Sequence, residues 1–286
     1  MKVPLSRVIA HRHAHAFPSS GMWRRTCGSS TRPHVLLVGA RATRGNEQGS
    51  ATPSGVTRAL VHDVRELRDQ KLVFRDRHHA GMVLARMLEG KLPAGARLLA
   101  IPAGGVPVAA AMAEALGLPL DVAVVSKITP SWNTEVGYGA AAFDGRVRVD
   151  EQRWKQLGVD ERDVGKDAER AKAKVRRRLV SLRSGRGPIV TPGDTAVLVD
   201  DGLASGITMQ TAVDAVRDAG AGRIVVAVPT GSATAVNHLA AMVDEVHCAN
   251  IRTGWSFAVA DAYENWSDED DETVRAILHR LRSHAP

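Results

Sequence analysis

The chain has 286 residues, of which 44% are hydrophobic and 24% charged, so it is long enough for one large domain or two small ones with a buried core. Its two cysteines, Cys27 and Cys248, are too few for a disulfide framework, which indicates a reducing, cytoplasmic compartment. No apolar run approaches the roughly 18 residues that a membrane span needs, so the sequence argues against a membrane protein.

The positive charge of the chain is concentrated in its N-terminal segment. Residues 1–58 hold nine Lys and Arg and one Glu, a net charge of +8, and the +7 of the whole chain less this +8 leaves −1 for the remainder. The segment lacks the apolar surface that offsets the entropy of ordering, which predicts disorder except for an isolated strand at 34–39. A transit peptide and a misplaced upstream start codon both fit this composition, so the charge says nothing about the body of the protein.

The folded body is predicted to begin near Phe74. Before it, Val61, Val64 and Leu67 suggest a short amphipathic helix within a connecting segment, 59–73. After it, a clearer helix opens with an aspartate N-cap and continues with apolar side chains at three- and four-residue steps. The sequence therefore divides into an extension (1–58), a connector (59–73) and a domain (74–286).

Strands and helices alternate through the rest of this domain. The predicted strands are 97–101, 120–126, 197–199, 223–228 and 245–249. A hairpin is predicted at 140–149, and the predicted helices are 160–181, 209–219, 233–242 and 270–282. This alternation favours an α/β fold with a parallel sheet flanked by helices.

The helix predicted at 160–181 carries a basic run. The run comprises Lys172, Lys174, Arg176, Arg177 and Arg178. Because no aromatic residues interleave with these cations, we interpret them as a solvated face rather than a nucleic-acid site.

A strand, two carboxylates and a small-residue loop follow one another at 197–208. Asp200 and Asp201 come directly after the strand, at the edge of a parallel sheet where ligands usually bind. The loop 202–206, called here the phosphate loop, has small residues whose N–H groups can surround a phosphate, and the next helix adds positive potential at its N-terminus. If the ligand is a sugar phosphate, Ser205 and Thr208 can donate hydroxyl hydrogen bonds to its phosphate, and the carboxylates can accept from vicinal ribose hydroxyls. An ordinary capped helix with a glycine turn is the other interpretation.

Two further segments suit a phosphorylated ligand. Residues 102–105, called here the glycine turn, follow the first strand of the domain and contain Gly104 and Gly105; they can also be read as a plain strand-to-helix turn. Lys127 ends the next strand, where a lysine either contacts phosphate or is solvated. Residues 127–140 then form a long, Gly-rich segment that suits a mobile lid and includes Glu135.

These motifs resemble the type I phosphoribosyltransferases, which bind 5-phosphoribosyl 1-diphosphate. The resemblance covers roughly 74–281 and rests on 197–208, the glycine turn, the lid and the opening at 74–81. It implies that the phosphoribosyl group contacts Asp200, Asp201, Gly202, Leu203, Ala204, Ser205, Gly206 and Thr208. It implies that the diphosphate contacts Ala103, Gly104, Gly105 and Lys127. Relatives often carry Arg at the position of Ala103 and Gly at that of Ile207, so binding is weaker here unless another cation substitutes.

The resemblance also implies a small hood over the acceptor, and a cluster of aromatic residues follows the last strand. Trp255, Phe257 and Tyr263 are candidates to stack on a flat base, or else they form a small core for the last helix. We expect transfer of the phosphoribosyl group to a nitrogen nucleophile, nucleobase-like, with Asp200, Asp201 and Glu135 as the candidate catalytic residues. The acceptor itself is not identified by the sequence.

The same resemblance implies Mg²⁺ as cofactor, held mainly by the substrate with Asp200 or Asp201 assisting rather than by direct protein ligands. It also implies a homo-oligomer, with a dimer expected. The alternative function is a non-catalytic sensor of the diphosphate sugar or of a nucleotide, which the replacements at Ala103 and Ile207 favour. Nucleic-acid binding through the basic extension is the weakest of the three hypotheses.

Overall fold

A computed structural model describes residues 34–36, 60–134, 136–183, 185–255 and 257–283. Most of the predicted extension 1–58 lies outside the described residues, and so does Glu135. The extension's disorder and the role of Glu135 therefore stay predictions.

Ten strands and seven α-helices occur in the described part of the chain. The strands are β1 (His34–Leu36), β2 (Leu60–Asp63), β3 (Arg97–Ala100), β4 (Leu120–Val122), β5 (Val125–Ile128), β6 (Gly139–Ala142), β7 (Val147–Val149), β8 (Thr195–Val199), β9 (Arg223–Ser232) and β10 (Glu245–Arg252). The helices are α1 (Arg77–Leu88), α2 (Gly105–Leu116), α3 (Glu151–Gln156), α4 (Glu161–Arg183), α5 (Ile207–Asp218), α6 (Ala233–Ala240) and α7 (Asp271–Ser283).

Seven of these strands form the main sheet, in the order β1-β2-β10-β9-β8-β3-β4. All neighbours are parallel except β1 and β2. The stretches 196–199 of β8 and 224–228 of β9 are buried and entirely apolar because helices cover both faces of the sheet. Leu84 of α1 and Met112 of α2 pack against one face, and Met209 of α5 and Leu239 of α6 pack against the other. The predicted parallel sheet flanked by helices is confirmed.

A smaller antiparallel sheet stands beside the main one, in the order β5-β6-β7. Its last two strands are the predicted hairpin at 140–149. The same side of the molecule holds α4, whose apolar side chains Ala171, Val175 and Leu182 are buried. The small sheet and α4 therefore lie over the carboxyl edge of the main sheet, where they form one wall of a cavity.

The segment before Phe74 differs from its prediction. Residues 60–63 form β2 and 65–67 a short 3₁₀ turn, so the predicted amphipathic helix is wrong. Val61 lies opposite Val246 of β10, where the sheet offers a buried site and hydrogen bonds that a short isolated helix lacks. The strand expected at 34–39 is present as β1 and pairs with β2, so it is not isolated. No helix in the described ranges is both long and apolar enough to cross a bilayer.

Candidate functional site

A cavity of about 690 Å³ opens at the carboxyl ends of β3 and β8, and β5 of the small sheet lines it from the side. Its lining includes residues 102–104 of the glycine turn, Lys127, the carboxylates Asp200 and Asp201, and the whole phosphate loop. Parallel strands end at a common edge, so segments far apart in the sequence meet here. The structure thus brings the predicted phosphoribosyl and diphosphate residues together around one space, except Gly105, which packs behind the lining against Val199 and Asp200.

The phosphate loop joins β8 to α5. Gly206 has a φ of 80°, a left-handed conformation that glycine adopts without steric cost, and α5 begins at the next residue. Leu203 is fastened to β9, since its N–H donates to Thr230 O at 2.9 Å and its carbonyl accepts from Ser232 N at 2.9 Å. Fixed in this way, the loop and the N-terminus of α5 present Ser205 and Thr208 to the cavity, an arrangement suited to a phosphate group.

The two adjacent carboxylates lie at the floor of the cavity. Burial, followed by the charge of Asp201, raises the pKa of Asp200 well above its ordinary value. Burial also raises the pKa of Asp201, but the guanidinium of Arg77 opposes this shift. The N–H of Asp201 donates to Asp200 Oδ1 at 2.9 Å, which leaves most of the Asp200 carboxylate free to accept from a ligand. The pair is therefore an acceptor site whose charge depends on Arg77.

Arg77, at the start of α1, holds the carboxylate of Asp201. Its Nε and Nη2 each lie 2.9 Å from Asp201 Oδ2, and its Nη1 lies 3.1 Å from Glu269 Oε1. The guanidinium also stacks on Trp266, 4.0 Å from the ring centroid. Sequence reasoning missed this residue because its partners are more than a hundred positions away. The only available signal was its place in the motif Phe-x-Asp-Arg at 74–77.

The glycine turn packs directly against these carboxylates. The peptide bond between Pro102 and Ala103 is cis. A Cβ atom on Gly104 would lie 1.9 Å from Asp201 Oδ2, and one on Gly105 would lie 2.6 Å from the carbonyl oxygen of Val199. Both positions therefore require glycine, because a side chain there would displace the Asp201 carboxylate or the backbone of Val199.

Lys127 of β5 is exposed and faces the cavity from the opposite side. The segment that follows it is anchored at its far end, where the buried Tyr138 donates from its hydroxyl to Asp167 Oδ2 at 2.7 Å. Arg153 adds a second attachment, since its Nε donates to Gly137 O at 2.7 Å. Trp132, between the two ends, is exposed. The proposed lid is thus held at 137–138, and its exposed part lies before that point.

One face of α4 forms the remaining wall, and most of its cavity-lining residues are cationic. They are Arg170, Lys174, Arg177 and Arg178. This corrects the prediction of a solvated face for the basic run: Lys174, Arg177 and Arg178 line the cavity, whereas Lys172 and Arg176 do not. Spacing of three and four residues places these cations on one side of a helix.

The aromatic cluster divides into two groups. Tyr263 is only 2% exposed and donates its hydroxyl to the carbonyl oxygen of Asp201 at 2.6 Å, so it packs in the core rather than offering a free face. Trp255 and Phe257 lie in a second cavity of about 610 Å³, which borders the first at Ser205. Of the three predicted acceptor residues, these two keep a surface that a flat ring can reach.

Oxygen donors dominate the floor of the first cavity, and this composition suits Mg²⁺. The carboxylates of Asp200 and Asp201 and the hydroxyls of Ser205 and Thr208 are hard ligands or partners for the water molecules that Mg²⁺ retains. A different group, His62, Glu245 and His247, has ligand atoms within 4.8 Å of one another. Its nitrogen donors are not those that Mg²⁺ prefers, and Glu245 begins β10, at the opposite edge of the sheet.

Acidification is expected to destabilise the protein through His62. Its ring stacks on His247 at 4.3 Å, and burial, then the charges of His247 and Lys91, lower the pKa of His62 to about 4. Between this value and the ordinary 6.5 the unfolded chain binds a proton that the folded chain does not, so stability falls as pH falls. From pH 7 to pH 5 the free energy of unfolding should drop by about 2 kcal/mol more than in His62→Gln. Urea denaturation at both pH values measures this, and equal drops in the two proteins would contradict it.

Comparison with known proteins gives one consistent family. The sequence profile described as "Phosphoribosyl transferase domain" matches residues 96–265. Two proteins from strains of Mycobacterium tuberculosis, each provisionally named a phosphoribosyl transferase, are 35% identical over 208 residues, covering 73% of this chain and 47% of theirs. The chain thus spans about half the length of these curated relatives. The crystal structure of TT1426 from Thermus thermophilus is 35% identical, with a TM-score of 0.58 over 73% of this chain and 99% of that one.

Proposed function

Because the chain belongs to the phosphoribosyl transferase family, we propose that it transfers a 5-phosphoribosyl group from 5-phosphoribosyl 1-diphosphate to a nitrogen nucleophile on a nucleobase-like acceptor. Diphosphate is the other product. The observation that carries this proposal is the meeting of the phosphate loop, the glycine turn and two carboxylates in one cavity.

Each part of the cavity has a role in this reaction. The phosphate loop and Thr208 bind the 5-phosphate through N–H and hydroxyl groups at the start of α5. Asp200 and Asp201 accept hydrogen bonds from the vicinal ribose hydroxyls and so fix the sugar ring. The glycine turn, with Lys127 across the cavity, binds the diphosphate. Catalysis then depends on holding the leaving group in place while positive charge develops on the sugar.

Asp200 and Asp201 would help to hold Mg²⁺, and the ion would supply positive charge that offsets the charge of the leaving diphosphate. Glu135 is the candidate general base, because it belongs to the lid segment that closes over the reacting carbon. Exclusion of water by this segment favours transfer over hydrolysis. Trp255 and Phe257 offer the aromatic surface on which an acceptor ring stacks.

Two measurements test the function. Isothermal titration with 5-phosphoribosyl 1-diphosphate and Mg²⁺ measures binding, and a diphosphate-release assay over a panel of nucleobases measures turnover. Binding followed by acceptor-dependent release supports the proposal. Absence of binding at millimolar ligand would rule it out.

The Asp201→Asn variant should bind the diphosphate sugar about 10- to 150-fold more weakly than the wild type, a loss of about 1.5–3 kcal/mol. The substitution removes a charged acceptor for a ribose hydroxyl while keeping the size of the side chain. Titration of both proteins with the same ligand measures the difference. Asp194→Asn is the control, since Asp194 does not line the cavity. Equal affinities for Asp201→Asn and the wild type would refute the ribose assignment.

A sensor function is the alternative, and the pairing of Asp201 with Arg77 favours it. This ion pair occupies an oxygen that a ribose hydroxyl would use, so ligand binding can be coupled to the position of α1. A sensor binds the diphosphate sugar but releases no diphosphate with any acceptor. The same two measurements therefore separate the functions.

A further inference from the structure

The glycine turn carries no cation of its own. Apart from the ring of Pro102, its only side chain is that of Ala103. Gly104 lies too close to Asp201, and Gly105 too close to Val199, for either position to carry a side chain. Backbone N–H groups alone offset little of the charge of a diphosphate. The cations that this ligand requires must therefore come from other elements.

The helix α4 brings cations to this turn. Nη1 of Arg178 donates to the carbonyl oxygen of Pro102 at 3.2 Å, and Nη2 of the same guanidinium pairs with Asp271 Oδ1 at 2.7 Å. Lys174 and Arg177 lie on the same face of the helix and line the cavity. Arg178 thus ties α4 to the turn, and its neighbours extend from there along the cavity wall.

The protein neutralises only part of the charge on this wall, where Arg170 pairs with Asp167 and Arg178 pairs with Asp271. Among the described residues, Lys127, Lys174 and Arg177 have no carboxylate within ion-pair distance. Although Lys174 is exposed, partial desolvation and then the charge of Arg178 lower its pKa, with Arg177 and Lys127 adding to this effect and Asp271 opposing it. Like charges that face one cavity repel each other, and an anion bound between them relieves this repulsion.

We propose that Lys174 and Arg177 are diphosphate-binding residues, with Arg178 as the positioning residue that holds α4 against the glycine turn. The diphosphate then lies between the N–H groups of the turn on one side and the cations of α4 on the other, and Lys127 closes the third side. The assignment rests on the proposed function and names the part of the protein that supplies the charge missing at Ala103.

The test separates the two halves of the substrate. Inorganic diphosphate with Mg²⁺ and ribose 5-phosphate are titrated separately into the wild type and into Lys174→Met/Arg177→Met. Both replaced side chains are exposed, so the fold should tolerate the change. The matched control is Lys172→Met/Arg176→Met, which removes the same two charges from the same helix away from the cavity.

The double variant at 174 and 177 should bind diphosphate at least about tenfold more weakly, because two charged contacts are lost. Its affinity for ribose 5-phosphate should stay within about twofold of the wild type, and the control should keep both affinities. Equal diphosphate affinity in the two double variants, with both ligands binding the wild type, would overturn the role of α4 and leave the proposed function standing. A wild type that binds neither ligand would overturn both.

Discussion

Replacing Gly104 with alanine is expected to lower kcat/KM for the proposed phosphoribosyl transfer by at least about a hundredfold. The new Cβ would lie 1.9 Å from Asp201 Oδ2, a distance at which one of the two groups must move. The carboxylate cannot move freely, because Arg77 Nε holds it at 2.9 Å. Either the proposed sugar contacts of Asp201 or the proposed diphosphate contacts of the glycine turn are then misplaced. Diphosphate-release kinetics measure the loss.

Gly165→Ala is the matched control for this substitution. Gly165 is exposed within α4, and a Cβ there meets no atom within 4 Å. Alanine should leave kcat/KM unchanged and raise the free energy of unfolding by about 0.5–1 kcal/mol through its helix propensity. A Gly104→Ala enzyme that matched both the control and the wild type in kcat/KM would show that the close approach has no functional consequence.

Removal of the guanidinium in Arg77→Met is expected to shift the acid limb of the kcat/KM profile to higher pH. Burial already raises the pKa of Asp201, and Arg77 is the main group that opposes this rise. Without it, the carboxylate takes up a proton at a higher pH, and the protonated form no longer accepts as strongly from the ribose. The variant should also lose about 3–5 kcal/mol of stability, since a buried charge loses its partner. Kinetics from pH 5 to 9 and urea denaturation measure the two effects.

Arg77→Lys distinguishes charge from packing. Lysine keeps the positive charge near Asp201 but cannot reach Asp201, Glu269 and the carbonyl oxygen of Ser267 together, as the arginine does. The acid limb should therefore return towards its wild-type position while part of the stability loss remains. An acid limb that is the same in wild type, Arg77→Met and Arg77→Lys would refute the electrostatic role of Arg77.

The parts of the site that are local in sequence could be predicted. The strand, the two carboxylates, the small-residue loop and the helix start at 197–208 are contiguous, and their backbone requirements appear directly in the residue types. The strand predicted at 120–126 is divided in the structure into β4 and β5, which belong to different sheets, and Lys127 lies inside β5 rather than after the end of a strand. It nevertheless lines the cavity, so its location could be predicted although the strand that carries it could not. The α/β fold followed from the alternation of such segments.

The parts that depend on tertiary packing could not be predicted. The spacing of Lys174, Arg177 and Arg178 defines a face of α4, but spacing does not tell whether that face meets solvent or a cavity. Arg77 had no nearby partner to mark it. Tyr263 resembled an acceptor platform because an aromatic residue suits a core and a ligand surface equally well, and only its burial distinguishes the two.

Synthesis of the chain sets the order in which the parts of the cavity become available. Arg77 leaves the ribosome early, Asp201 later, and Tyr263 and Glu269 only after most of the domain has been made. Yet the Tyr263 hydroxyl holds the carbonyl of Asp201, and Glu269 shares the guanidinium of Arg77. A nascent chain that ends before Tyr263 therefore has its phosphate loop but lacks the contacts that fix the carboxylates beside it. Ligand capture by a growing chain should begin only once this last segment has been released.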